Sequence, residues 1–89
     1  MKIIRRTSLF KRDVKRIHKR EKEFEVFKRV INELASGQKL APKYRDHILF
    51  GQYKGARECH IEPDWLLIYE LTEEELLLIR TGTHSDLFK

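Results

Sequence analysis

Apolar residues recur at helical spacing in the first half of the chain. A strand-like segment over residues 2–6 precedes Thr7 and Ser8, either of which can cap a helix through its hydroxyl. The apolar stripe that follows has the spacing i, i+4, i+7 and consists of Phe10, Val14 and Ile17. A second stripe, between residues 22 and 35, consists of Phe24, Phe27, Val30, Ile31 and Leu34. We therefore expect two helices, and the short break near residues 20–22 predicts an antiparallel hairpin.

The second half consists of short apolar runs separated by polar turns. The expected strands cover about residues 47–50, 55–61, 65–71 and 75–81. Two uninterrupted apolar runs, 66–68 and 76–79, are typical of central strands that are covered on both faces. Thr83 and Asp86 have the spacing of a capping box, which predicts a short final helical turn. The predicted fold is α+β: one domain over residues 1–89, in which an N-terminal helical hairpin packs on a small, mainly antiparallel twisted sheet.

Charge divides the chain into two unlike halves. The 89 residues carry a net charge of +5, but residues 1–45 hold 15 basic and 5 acidic side chains, whereas residues 46–89 hold 4 and 9. On a helical wheel, six basic residues lie opposite the first apolar stripe: Lys11, Arg12, Lys15, Arg16, Lys19 and Arg20. This face predicts an anionic partner, which can be nucleic acid, an acidic protein or a membrane surface.

Several classes of protein are excluded by what the sequence contains. A single cysteine, Cys59, rules out an intramolecular disulfide and a multi-thiolate metal site. No apolar run reaches the roughly 18–20 residues that span a bilayer, and the first residues turn basic too early for a signal peptide. We therefore expect a cytoplasmic protein without a membrane-spanning segment.

Three of the four histidines lie in the second half: His47, His60 and His84. With two-residue turns at both hairpins, His60 lies opposite Leu67 and Leu67 lies opposite Arg80. His60 and Arg80 would then share one sheet face, although a one-residue slip in register would separate them.

These residue types suit the cleavage of RNA without a metal. The reaction needs a base for the 2′-OH, an acid for the leaving 5′-oxygen and a cation beside the phosphorane, and histidine and arginine can fill these roles. Trp65 and Phe88 are candidates for stacking on bases, but Trp65 begins an apolar strand and fits a core position better. Zinc binding by the histidines and Asp64 is the alternative, although their spacing matches no compact zinc motif.

Three sequence blocks carry a resemblance to a known family. They are YRDH at residues 44–47, RECHIEPDWLLIY at 57–69 and RTGTHSDLF at 80–88. Together they resemble the YafQ branch of the RelE/ParE toxin superfamily. The resemblance implies a RelE-like fold and a type II toxin that cuts mRNA on the ribosome. It also implies a cognate antitoxin partner, contact with operator DNA only through that antitoxin, and no cofactor or metal.

The resemblance also implies roles for individual residues. His47, His60, Asp64 and His84 fall on catalytic positions of this branch, and Arg80 falls on its phosphate-contacting arginine. Our assignment makes His60 or Asp64 the general base and His84 the general acid, while His47 orients the substrate or shares proton transfer. Phe88 and Trp65 match positions that place the substrate, and we expect Lys11, Lys15 and Lys19 to bind ribosomal RNA. The alternative is a non-catalytic nucleic-acid-binding protein or a ParE-like gyrase inhibitor.

Overall fold

A five-stranded sheet forms the centre of the molecule. The structure is a computed structural model, and it describes residues 1–20 and 22–88. The strands are β1 (Ile3–Arg6), β2 (His47–Ile48), β3 (Arg57–Glu62), β4 (Trp65–Leu71) and β5 (Glu75–Gly82), in the spatial order β1-β5-β4-β3-β2. β1 runs parallel to β5, and every other pair is antiparallel. The predicted α+β architecture with a mainly antiparallel sheet is confirmed.

Three α-helices accompany the sheet: α1 (Ser8–Lys19), α2 (Glu25–Ala35) and α3 (His84–Leu87). Thr7 caps α1, because its Oγ1 accepts a hydrogen bond of 3.0 Å from the Phe10 N–H. α2 begins three residues later than the sequence predicts, and Gly37 follows it with φ 78°, the left-handed conformation expected after a helix end. None of the helices in residues 1–20 and 22–88 has the length and hydropathy that a bilayer span requires.

Apolar side chains cover both faces of the central strand, β4. On the inner face, α1 and α2 contribute Phe10, Ile17, Phe27 and Val30 to a cluster with Leu67, Tyr69, Leu76 and Leu78. On the outer face, Leu66 and Ile68 pack with Ala56 and Leu87. The five residues from Trp65 to Tyr69 are at most 2% exposed, as the uninterrupted apolar run predicts.

Two β-bulges make the strand register differ from the predicted one. Glu62 lies opposite Trp65 as expected, but an extra residue in β3 places His60 opposite Leu66 instead of Leu67. A second bulge in β5 places Arg80 opposite Ile68 instead of Leu67. Each bulge moves the pairing by one residue, so the two shifts compensate for each other. His60 and Arg80 therefore share a face as predicted, and it is the outer face of the sheet.

Candidate active site

Three histidine rings and a phenylalanine ring form a row across the outer face. The ring centroids are 6.2 Å apart for His47 and His60, 6.0 Å for His60 and His84, and 6.3 Å for His84 and Phe88. Pairing of β2 with β3 brings His47 beside the strand that carries His60. Leu66, the partner of His60, also pairs with Gly82, two residues before His84. Sheet pairing thus gathers histidines that lie up to 37 positions apart in the sequence.

Asp64 holds His84 from the turn between β3 and β4. Its Oδ1 accepts a 3.1 Å hydrogen bond from the His84 backbone N–H and lies 3.1 Å from Nδ1 of the same residue. The His84 backbone N–H is the main cause that lowers the pKa of the Asp64 carboxyl, and the His84 side chain adds to it. With Nδ1 engaged by Asp64, Nε2 is the ring nitrogen of His84 that can exchange a proton with a substrate.

Glu58 is a site residue that the sequence reasoning missed. Its side chain is buried between two histidines, with Oε1 3.5 Å from Nε2 of His47 and 3.4 Å from Nε2 of His60. The available signal was its position two residues before His60 in a predicted strand, which puts both side chains on one face. On the other side of the His47 ring, Nδ1 lies 2.7 Å from the carbonyl oxygen of Arg45 and donates to it.

Arg80 reaches the same face from β5 and is bound by a carboxylate of α1. Its Nε and Nη2 donate to the two oxygens of Asp13 at 2.7 and 3.0 Å. Asp13 is the main cause that raises the pKa of Arg80, and Tyr53 adds to it. The Tyr53 ring also packs edge-on against Phe88 at 5.8 Å. From strand spacing, the Cα atoms of His60 and Arg80 are roughly 12 Å apart, because the two residues lie on the same face of strands that flank β4.

The two candidate stacking residues have different environments. Phe88 is 39% exposed and lies at the end of the histidine row, where its ring is accessible to a base. Trp65 is 2% exposed, stacks on Phe27 at 5.1 Å, and donates its Nε1–H to Thr81 Oγ1 at 2.9 Å. Its assignment to substrate binding is corrected, because a ring enclosed by the helices has no face left for a base.

The basic face of α1 divides into two surfaces. Arg16 and Arg20 turn toward α3 and pair with Asp86, at 3.4 and 2.8 Å. Lys11 and Lys15 instead border a groove of about 550 Å³ between α1 and α2. The groove has an apolar floor and a basic rim that together include Phe10, Val14, Phe24, Phe27, Ile31, Arg6 and Lys28. Lys19, the third lysine assigned to RNA binding, is exposed near the end of α1.

One group of donors in the described part of the chain has a geometry that fits a metal ion. The nearest ligand atoms of His47, Glu58 and His60 all lie within 4.8 Å of one another. The donation from His47 Nδ1 to a backbone carbonyl resembles the outer support that metal-binding histidines usually have. The donor set suits a transition metal such as zinc or copper. It differs from the sequence-based alternative, because it contains Glu58 and lacks both His84 and Asp64.

Comparison with known proteins identifies the family. The family profile described as a bacterial toxin of a type II toxin-antitoxin system, YafQ, matches residues 2–89. The mRNA interferase toxin YafQ of Escherichia coli K12 is 44% identical over 80 residues, which cover 89% of this chain and 87% of that protein.

Solved structures agree with this assignment in fold and in extent. A chain of the E. coli DinJ–YafQ complex matches with a TM-score of 0.92 and 40% identity over 100% of both chains. A metal-bound toxin from Helicobacter pylori matches with a TM-score of 0.91 and 42% identity, over 99% of this chain and 100% of that one. The resemblance stated from the sequence is confirmed, and the relative's name supports the prediction of an endoribonuclease. The chain belongs to the YafQ family of toxins from bacterial type II toxin–antitoxin systems.

Proposed function

We propose that this toxin is an endoribonuclease that cuts mRNA on the ribosome, in the cytoplasm, by attack of a 2′-OH on the adjacent phosphate. The observation that carries the proposal is the row of His47, His60 and His84 next to Phe88 on one sheet face. Imidazoles about 6 Å apart can serve both sides of a phosphodiester, because one accepts a proton while the other donates one. The products are a 2′,3′-cyclic phosphate and a 5′-OH.

His60 is the general base and His84 the general acid in this mechanism. Asp64 was the alternative base, but its oxygen is engaged by His84 and its lowered pKa makes it a weak proton acceptor. Asp64 instead holds Nδ1 of His84, so that Nε2 can donate to the leaving 5′-oxygen. Glu58 lies against Nε2 of His60 and stabilises the charge that this ring gains when it takes the 2′-OH proton.

The remaining residues bind the phosphate and the base. His47 shares the Glu58 carboxylate with His60 and orients the nucleotide next to it. Arg80 stabilises the phosphorane with the N–H groups that Asp13 does not occupy. Phe88, which is accessible and supported by Tyr53, stacks on a base beside the scissile bond.

The test is cleavage of mRNA on programmed ribosomes. We expect His60→Ala and His84→Ala to lower kcat by about 10²–10⁴, as loss of a proton-transfer group does. His18→Ala is the matched control, because this histidine lies on α1 and stacks on Phe24 at 4.4 Å, away from the row. Mass spectrometry of the fragments identifies their termini. Wild-type rates in both site variants would contradict the mechanism, and intact mRNA with gyrase-dependent DNA breaks would favour the ParE-like alternative.

Lysines of α1 supply the contact with ribosomal RNA in this proposal. Lys11, Lys15 and Lys19 are exposed on one helix, and phosphate binding by such clusters weakens steeply with salt. The triple reversal of these lysines to glutamate should lower ribosome affinity and flatten its salt dependence. The control is Lys39→Glu, which reverses one exposed lysine outside α1 and shows the effect of a single reversed charge elsewhere on the surface. Unchanged affinity and unchanged salt slope in the triple variant would remove this role.

A cognate antitoxin is the expected protein partner, as DinJ is in the complex of the E. coli relative. We propose that its toxin-binding segment is an acidic amphipathic helix, because the α1–α2 groove combines an apolar floor with a rim of lysines. Such a complex would contact operator DNA through the antitoxin. Co-purification with the product of the neighbouring reading frame tests this docking: Lys11→Glu/Lys15→Glu should weaken the complex, whereas Lys43→Glu should not. Equal affinity in all three proteins would place the antitoxin elsewhere.

Metal binding is a second candidate role for the same cluster, favoured by its donor set and by the metal-bound relative from H. pylori. His47, Glu58 and His60 would hold the ion, which would supply a Lewis acid there. Histidines that ligate a metal cannot transfer protons, so we expect Zn²⁺ to inhibit cleavage and EDTA-treated toxin to keep its full rate. Loss of activity in EDTA and recovery with zinc would replace the metal-independent mechanism.

A further inference from the structure

Asp13 is a buried carboxylate of α1 that has no role in the mechanism described above. It is 1% exposed and accepts hydrogen bonds from Arg80 Nε, Arg80 Nη2 and the Thr81 backbone N–H, at 2.7, 3.0 and 3.2 Å. We propose that Asp13 is a positioning residue that aims Arg80 at the scissile phosphate. This inference rests on the proposed ribonuclease function, and it deepens that function by assigning a task to α1.

The carboxylate of Asp13 occupies only one edge of the Arg80 guanidinium. Asp13 takes the edge formed by Nε and Nη2, and the Tyr53 side chain lies close enough to add to the raised pKa of Arg80. Nη1 and the second N–H of Nη2 can therefore be shared between Tyr53 and a substrate phosphate. The Arg80 side chain is 15% exposed, whereas the Asp13 side chain is 1% exposed. An arginine held in this way presents a flat, two-pronged donor to a phosphate without first losing rotamer freedom.

Strand geometry points the same side chain outward. The bulge in β5 lets Ile79 and Arg80 both face the outer side, where Ile79 packs against the cluster that contains Leu66 and Ile68. Without further support, the long Arg80 chain would be free to leave this face. Asp13 provides the support, and the Thr81 N–H ties the carboxylate to the neighbouring strand position.

The surrounding charges leave this part of the site positive. Arg16 lies 3.9 Å from Asp13 and 3.4 Å from Asp86, and Arg20 pairs with Asp86 at 2.8 Å. Three arginines therefore share two carboxylates, since Arg80 belongs to the same group. Asp13 orients Arg80 without cancelling the attraction of the cluster for an anionic substrate.

A double-mutant cycle tests the inference with mRNA on programmed ribosomes. We expect Arg80→Gln to lower kcat by about 10²–10³ and Asp13→Asn by about tenfold, with KM changed less than threefold. In the Arg80→Gln background, Asp13→Asn should change kcat by less than about twofold, because its route of action is already removed. Glu75→Gln is the control: it removes a carboxylate that pairs with an arginine, Arg5, at the far end of β5.

Two further measurements separate positioning from a structural role. The pH profile of kcat in Asp13→Asn should keep its wild-type shape at a lower height, because Arg80 does not titrate in this range. Thermal unfolding shows whether each variant is folded at the assay temperature, and Asp13→Glu, which keeps the charge, replaces Asp13→Asn in the cycle if the latter is not.

The possible outcomes are distinct. An equal loss of kcat from the Asp13 change with and without Arg80 would overturn the inference, and so would a fully active Asp13→Asn. If the wild-type toxin leaves mRNA intact, the proposed function fails and the inference fails with it. A wild-type toxin that cleaves while the cycle shows no coupling refutes only the role of Asp13.

Discussion

Replacing Asp86 with asparagine should remove a part of the stability that disappears in acid. The Asp86 carboxylate accepts hydrogen bonds from Arg20 Nη1 and Nη2 at 2.8 and 3.3 Å and from the Thr83 N–H at 3.0 Å. The hydrogen bonds from Arg20 are the main cause that lowers the pKa of Asp86 below its ordinary value. Asparagine preserves the cap on Thr83 but loses the charge, so the change isolates the interaction with arginine.

The magnitude follows from exposure and from the direction of the pKa shift. Asp86 is mostly buried, but Arg16 and Arg20 are 44% and 39% exposed, and solvent weakens an ion pair. We therefore expect the two ion pairs together to stabilise the folded protein by about 1.5 kcal/mol. A carboxyl with a lowered pKa in the folded protein stabilises it fully above the unfolded value of about 4, and less as the pH falls below it. The stability gap between wild type and Asp86→Asn should therefore shrink from about 1.5 kcal/mol at pH 7 to below about 0.5 kcal/mol at pH 3.

Urea denaturation at several pH values measures this gap directly, and thermal unfolding at pH 7 should show a loss of roughly 6–12 °C in Tm. Glu75→Gln serves as the control, because its pair with Arg5 is exposed on both sides and should be worth less than about 0.5 kcal/mol at either pH. Equal stability of wild type and Asp86→Asn at pH 7, or a gap that is the same at pH 3, would refute the reasoning.

Three further predictions concern the core. Trp65→Phe should lower the free energy of unfolding, measured in urea, by about 2 kcal/mol, because the hydrogen bond to Thr81 and part of the packed ring are lost. KM should stay within threefold of wild type, and unchanged stability with a raised KM would instead place Trp65 in the substrate site. Gly82→Ala should lower stability by about 1–3 kcal/mol in the same assay, because Gly82 has φ 155° and an added Cβ would lie 2.9 Å from Asp86 Oδ2. Unchanged stability would contradict the close approach of Asp86 to the Gly82 backbone. Burial raises the pKa of the Cys59 thiol, so iodoacetamide at pH 8 should modify it in urea but not in the native protein, and rapid native labelling would show that the site opens.

The order of elements was readable from the sequence because each signal is local. The i, i+4, i+7 stripe of α1, the left-handed Gly37 and the capping box of Thr83 and Asp86 all depend on neighbours within a few residues. The strand register was not fully readable. Whether a hairpin contains a bulge is decided by packing of the whole sheet, so the pairing of His60 was one residue off.

The candidate site, too, was only partly predictable from the sequence. The histidines, Asp64 and Arg80 were selected by their chemistry and by the family resemblance, and the structure brings the histidines and Asp64 together. Glu58 was overlooked because a glutamate in a strand is ordinarily exposed, and only tertiary packing reveals that it lies buried between two rings.

The two bulges mean that the local backbone conformation, as well as residue identity, encodes the site. With regular pairing beyond Glu62 and Trp65, His60 would lie opposite Leu67 and face the helices, and regular pairing beyond Leu78 and Tyr69 would place Arg80 opposite Leu67 in the same way. Loss of one bulge with every residue retained would thus separate the imidazole from the guanidinium. Deleting the extra residue itself, Ile61 or Ile79, would instead keep His60 opposite Leu66 and Arg80 opposite Ile68, so both side chains would stay on the outer face. The site should therefore tolerate a one-residue deletion at a bulge better than a shift of register that leaves the residues unchanged.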